Sequence, residues 1–183
     1  MSARLDIASL LAVLDDNGVA YVVVGSVAAL AHGAPAVVPG DLDVVPATDP
    51  ANLERVRAAL VALAATPQVD TGQWDTDEMG EPVWVEDGIE RPPRPLDPSD
   101  PQTFDHSFAT GHGRLDVVPR IAGPYAELRL RASRMPVDGR EAWVAHPVDV
   151  LAGMTSPRRA KDVPRVRHLR QLVAARTAGV TPG

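Results

Sequence analysis

A five-residue string occurs twice in this chain, as Leu42-Asp43-Val44-Val45-Pro46 and again as Leu115-Asp116-Val117-Val118-Pro119. Each copy is an apolar, β-branched run broken by one carboxylate, the composition of a buried strand. The first copy is preceded by Asp41. Side chains at i and i+2 leave a strand on one face, so Asp41 and Asp43 project together while Leu42 turns to the core. If the two copies neighbour each other in one sheet, Asp116 joins them. Three carboxylates so gathered repel one another unless a cation lies between them, and hard oxygen ligands select Mg²⁺ or Mn²⁺. The competing reading is two Val-rich strands that each expose one Asp to water.

The surrounding pattern alternates helices with strands. Apolar residues at helical spacing predict a helix over 3–17, stopped by Asn17-Gly18. Residues 19–24 form an unbroken strand-like run, and Gly25-Ser26 ends it before an Ala-rich helix over 27–32. Residues 35–40 read as loop and 41–45 as a strand closed by Pro46. Asp49-Pro50 opens a helix over 51–64 with Leu53, Val56, Leu60 and Leu63 on one face. Further on, 104–109 and 114–118 read as paired strands, 124–132 as a helix, and 134–137 with 141–144 as a hairpin around Asp138-Gly139. Residues 147–154 are helical. A basic helix over 160–177 is expected to turn Val163, Val166, Leu169 and Leu172 or Val173 inward. The expected fold is α/β (α+β): a mixed sheet flanked by helices, with a C-terminal helical segment.

One stretch resists this reading. Residues 66–103 hold seven of the eighteen prolines and two of the three tryptophans. Residues 70–105 carry eleven acids against Arg91 and Arg94. We expect an insert here within a single domain spanning 1–183, with a short strand over 82–85 and an irregular loop over 91–101. Trp74 and Trp84 would flank a flap or a small satellite core. Residues 158–176 reverse the balance, with six Arg and Lys161 against Asp162. That segment is either a polyanion contact or a solvated helix face. Lys161 is the only lysine among eighteen basic residues.

Composition excludes several classes. With 45% apolar and 23% charged residues the chain is not a disordered one. It has no cysteine, hence no disulfide framework or thiolate metal site. No apolar run approaches the roughly 20 residues a membrane span needs. Residues 1–14 lack a leader pattern, so a cytoplasmic protein is expected. The net charge of −6 argues against a dedicated binder of duplex DNA.

Gly25-Ser26 is the third chemical element. Glycine lets backbone approach a ligand closely, and the free N–H groups of a new helix favour an anion. By itself such a pair is more often a turn with an N-cap. Fourteen residues separate it from Asp41. Together, Val22-Val23-Val24-Gly25-Ser26, Asp41-Leu42-Asp43-Val44-Val45 and Arg114-Leu115-Asp116-Val117 resemble the nucleotidyltransferase superfamily related to DNA polymerase β. Asp149-Val150-Leu151 and Arg158-Arg159-Ala160-Lys161-Asp162 are similar to the closing segment of its AbiEii-type, toxin-related branch. That branch often has a basic or hydroxyl residue before its Asp-x-Asp, where this chain has Pro39-Gly40.

The resemblance implies an Mg-dependent enzyme that transfers a nucleotidyl group from a nucleoside triphosphate to a hydroxyl and releases pyrophosphate. Gly25 and Ser26 would seat the triphosphate, and Asp41, Asp43 and Asp116 would hold the metal. Asp116 would also help activate the acceptor. Lys161 with Arg158 or Arg159 would neutralise phosphate charge, and Asp162 would cap the last helix. The acceptor expected is an RNA such as tRNA, with an antitoxin protein as partner. The alternatives are an aminoglycoside-like small molecule or a catalytically idle partner module. Among the histidines, His32 ends the helix after Gly25-Ser26, where it would either approach the nucleotide or serve structure. His106, His112, His146 and His168 share no metal-ligand spacing.

Overall fold

In a computed structural model, residues 4–35, 39–76, 82–119, 123–153 and 162–177 are described. The chain opens with helix α1 (Ile7–Asp16), and the Asp6 carboxylate accepts from the Ser9 amide at 3.0 Å, satisfying an orphan donor of its first turn. Leu10, Leu11 and Leu14 bury one face of it. Strand β1 (Tyr21–Val23) follows, then α2 (Gly25–Ala31), β2 (Asp41–Pro46) and α3 (Pro50–Ala62). Asp49 caps α3 by accepting from the Asn52 amide, with Pro50 in the first turn, where its missing N–H costs nothing.

The next strands are β3 (Thr66–Pro67), β4 (Asp70–Thr76) and β5 (Pro82–Arg91). A 3₁₀ turn at Pro101–Phe104 leads to β6 (His106–Thr110) and β7 (Gly113–Val117). Then come α4 (Tyr125–Arg131), β8 (Ser133–Val137), β9 (Arg140–Val144), α5 (Pro147–Ala152) and α6 (Asp162–Thr177). A seven-stranded sheet runs in the order β3-β6-β7-β2-β1-β9-β8. It is mixed: β2 with β7 and β1 with β9 are parallel, the other neighbours antiparallel. This is the mixed α/β architecture expected.

The repeated string explains the centre of the sheet. Its two copies lie side by side, with Leu42 opposite Leu115, Asp43 opposite Asp116 and Val44 opposite Val117. Leu42 and Leu115 are both 0% exposed and enter the core that also holds Phe104 and Phe108. Truncating either leucine to alanine would cost about 2–5 kcal/mol through lost transfer energy and the cavity left behind. The acids, alternating with those leucines, are directed to the opposite face.

A second device fixes the strand that carries the acids. Asn52, buried in α3, accepts from the Ala20 amide at 2.8 Å and donates to the carbonyls of Ala20 (3.0 Å) and Ala47 (2.8 Å). One side chain thus satisfies backbone groups at the entry to β1 and the exit from β2, where a buried unpaired amide is costly.

Two expectations need correction. β4 (Asp70–Thr76) and β5 (Pro82–Arg91) pair antiparallel in a two-stranded sheet of their own, in place of one short strand at 82–85. Trp74 and Trp84 are register partners in it. In α6, Val166 and Leu169 are buried and Leu172 and Val173 are partly so, but Val163 is 49% exposed and Arg165, at 2%, points inward instead. The helix packs on α5, and at the end of α2 His168 Nε2 meets the His32 carbonyl at 3.2 Å, an arrangement that covers Arg165 and leaves Val163 outside. Among the described residues no helix is long and apolar enough to cross a membrane.

Candidate active site

The parallel pairing of β2 with β7 builds a four-cornered charged patch. Asp41 stands opposite Arg114, and Asp43 opposite Asp116, so three acids and one guanidinium share one face of two adjacent strands. The Arg114 guanidinium bonds the Asp41 carboxylate through Nη2. The same nitrogen donates to Asp116 Oδ2 at 3.2 Å. Arg114 Nε lies 3.1 Å from Asp116 Oδ1, yet the two are not aligned as a hydrogen bond, and each is buried without a bonding partner.

β1 delivers the remaining wall. The Val24 amide continues the β1–β2 ladder by donating to the Asp43 carbonyl at 3.0 Å, and α2 begins at the next residue. Gly25 has φ +63°, and a Cβ placed on it would lie 2.0 Å from Asp43 Oδ2. Two independent facts therefore demand glycine: a left-handed backbone and a carboxylate pressed against the Cα. The Ser26 amide, the next N–H of the helix start, donates to the Asp43 carboxylate. Ser26 itself is 8% exposed, and its Oγ is buried without a hydrogen-bond partner.

The electrostatics follow from this crowding. Burial, reinforced by the charges of Asp41 and Asp116, pushes the Asp43 carboxyl up to about 8, against the opposing pull of Arg114 and the Ser26 amide. Asp116 is also raised, chiefly by burial, while Arg114 and a hydrogen bond from the Ser107 hydroxyl oppose the shift. Ser107 is the register partner of Asp116 on β6.

This donor set fits a hard divalent cation. It offers three carboxylates, an orphaned Asp116 Oδ1, and an Asp43 that burial and then neighbouring negative charge hold toward its neutral form. As placed, no three acid or histidine side chains among the described residues close around a common point. Arg114 supplies the positive charge.

The predicted site residues separate into two groups. Gly25, Ser26, Asp41, Asp43 and Asp116 are brought together. Lys161, Arg158 and Arg159 lie outside the described residues, as does the side chain of Asp162. His32 serves structure, its Nε2 2.8 Å from the Ala145 carbonyl. Arg114 was not among the candidates, although its place two residues before Asp116, on the same strand face, was legible. Asn52 carried no such signal, since a helical Asn three residues after an Asp cap is ordinary.

No family model matches the sequence, and no curated protein does. The fold is similar to that of the antibiotic-resistance factor ANT(2'')-Ia, whose solution structure shows substrate-regulated conformation dynamics. The two chains are 14% identical and superpose with a TM-score of 0.53 over 94% of this chain and 91% of the other. At that identity the likeness concerns architecture, and the architecture is the nucleotidyltransferase fold.

Proposed function

We propose that this chain is a nucleotidyltransferase that moves a nucleotidyl group from a nucleoside triphosphate to a hydroxyl acceptor and releases pyrophosphate. The observation that carries the reading is the Asp43–Asp116 register pair with Gly25 packed against Asp43. A glycine wall and an orphaned serine hydroxyl beside three acids suit a phosphate chain bound through a cation. A generic exposed strand edge would need neither.

Asp41, Asp43 and Asp116 would hold Mg²⁺ or Mn²⁺. When bound, the ion supplies charge neutralisation at the triphosphate and acidifies the acceptor hydroxyl. The chain's own groups do the rest. Ser26 Oγ donates to a phosphate oxygen, and its amide keeps the Asp43 carboxylate in place. Asp116 Oδ1 takes the proton of the acceptor hydroxyl as the acceptor oxygen bonds to the α-phosphorus. The bond from that phosphorus to the bridging oxygen breaks, and pyrophosphate leaves. Lys161, with Arg158 or Arg159, neutralises its charge.

Two acceptor classes are distinguishable. The likeness to an antibiotic-resistance factor favours a hydroxyl on a small molecule of the aminoglycoside kind. The basic final helix favours tRNA, and an antitoxin protein would then be the partner. Arg165, buried in that helix, subtracts one charge from the second reading. Labelled triphosphates with Mg²⁺, offered separately with bulk tRNA and with aminoglycosides, decide between them. Label should pass to one acceptor class with the wild-type protein and not with Asp43→Asn. Equal labelling by both proteins rejects the carboxylate site. No labelling of any acceptor supports an idle partner module.

A further inference from the structure

Arg114 contributes nothing to the chemistry written above, yet it is the positive charge that touches two of the three acids. We propose that it is a resident counter-ion, a positioning residue that bridges Asp41 and Asp116 until a divalent cation displaces it. The proposal rests on reading Asp41, Asp43 and Asp116 as the cation-holding group.

The geometry argues for exchange over a permanent strap. Three carboxylates on one strand face need a positive charge, and a guanidinium and a divalent cation meet that need through the same oxygen atoms. Arg114 bonds one oxygen of Asp41 and one of Asp116. Metal ligation by the same atoms competes with those contacts for lone pairs and for space. Its hold on Asp116 is incomplete, because Nε and Oδ1 are 3.1 Å apart and both remain unbonded. A strap built for permanence would engage both oxygens as an aligned fork. The side chain also has a way out, being 41% exposed while those of Asp41 and Asp116 are 19% and 13% exposed. Nor is a strap needed to join the strands, since β2 and β7 are already paired in register over four residues.

The consequence is a trade. Arg114 lets the acidic face fold without metal, and by the same contacts weakens cation binding to the nucleotide-free protein. The test titrates Mn²⁺ into the nucleotide-free full chain at mildly alkaline pH, reading free Mn²⁺ by electron paramagnetic resonance. Wild type, Arg114→Gln, Arg114→Lys and Asp43→Asn are compared. Arg114→Gln should bind Mn²⁺ about tenfold more tightly than wild type. Arg114→Lys keeps the charge but loses the fork, and should shift the same way by less. In the wild type, the Arg114 Nε–H resonance, assigned by its absence from Arg114→Lys, should move as Mg²⁺ saturates the site.

Failure of each idea has its own signature. If Asp43→Asn binds Mn²⁺ as well as wild type does, or no protein binds it, the carboxylate reading falls. If Asp43→Asn loses binding while Arg114→Gln binds equally or less tightly than wild type, the counter-ion is wrong. Should Arg114→Gln not fold, Arg114→Lys and the resonance decide. A signal unmoved at saturating Mg²⁺ overturns the exchange.

Discussion

Asp43 and Asp87 are the same side chain, one on the central strand pair and one in the acidic hairpin, and the fold treats them oppositely. Asp43 is pushed up to about 8 by burial and by two like charges. Asp87 is drawn down to about 2 because Arg91 and the Ile89 amide donate to it. Around Asp43 the acids converge within two strands; Asp87, on a two-stranded sheet, meets an arginine instead of other acids. Density of acidic residues is therefore a poor guide to a site. What distinguishes one is carboxylates denied both solvent and sufficient countercharge.

The largest effect that separates the two regions is expected in catalysis. Asp43→Asn or Asp116→Asn should lower nucleotidyl transfer by about 10³-fold or more, the scale of removing an electrostatic group from a reacting centre. Asp87→Asn should leave the rate within about twofold, since Asp87 sits in a sheet separate from the carboxylate cluster and surface charges are screened. A comparable loss from the hairpin variant would break the contrast. Steady-state transfer to whichever acceptor is identified measures it.

Stability gives the next effect. Gly25→Ala places a methyl group 2.0 Å from Asp43 Oδ2 on a backbone at φ +63°. The β1–α2 turn must deform, costing on the order of 3 kcal/mol. Gly88 has a similar φ, +71°, in the hairpin, but a Cβ there meets nothing. Gly88→Ala should therefore cost only the backbone strain, about 1 kcal/mol. Chemical denaturation of both variants tests this, and equal losses would mean that the Asp43 contact does not matter.

Ionisation gives a third. The folded protein keeps the Asp43 proton that the unfolded chain releases above about pH 4, so the Asp43 contribution becomes less favourable as pH rises from about 4 to about 8. In metal-free buffer Asp43→Asn should therefore gain on wild type across that window, by on the order of 2–4 kcal/mol at its upper end, and match it near pH 4. Denaturation midpoints at a series of pH values measure the gap. A gap independent of pH would mean Asp43 is ionised throughout.

The centre of the fold was legible because its sequence is doubly constrained. Leu42 and Leu115 need a core while Asp41, Asp43 and Asp116 need each other's face, and only a strand pair in register meets both demands. The β4–β5 pairing was not legible because the pattern of its second strand does not alternate. Pro82–Arg91 mixes acids with Val85 and Ile89, both exposed, so no alternation announces a strand. Between its paired ends, Asp87–Gly88–Ile89–Glu90 bulge out opposite Thr71, a break that propensity does not encode. In α6 the helix and its inward Val166 and Leu169 were legible, but the exchange of Val163 for Arg165 at the start of that face was not. A 3.6-residue count treats Val163 and Arg165 by polarity alone, whereas the packing of α6 on α5 decides which of them is covered. The role of Arg114 was missed because acids were sought as a group and their countercharge was not.

The smallest effect belongs to that bulge, and it carries the opposite sign. Arg91 Nη1 and Nη2 donate to the two Asp87 oxygens at 2.9 and 2.6 Å, and the Ile89 amide donates to Asp87 Oδ1 at 3.0 Å. A pair at the surface of a two-stranded sheet, its side chains 34% and 22% exposed, adds little to global stability, so Arg91→Ala should leave the Tm unresolved from wild type. Its effect is local: the Ile89 amide should lose protection from hydrogen exchange, because the carboxylate that accepts it is no longer held in place. The pH dependence follows from the depressed Asp87 value. The clamp is fully present above the ordinary carboxylate range near pH 4 and is lost as pH falls toward about 2. Wild-type protection at Ile89 should thus decline toward that of Arg91→Ala on acidification, over the range below that in which Asp43 becomes destabilising. If both regions instead weakened together on acidification, the burial of Asp43 would not be setting its charge, and the contrast between the two acidic regions would reduce to their distance from Arg114 and Arg91.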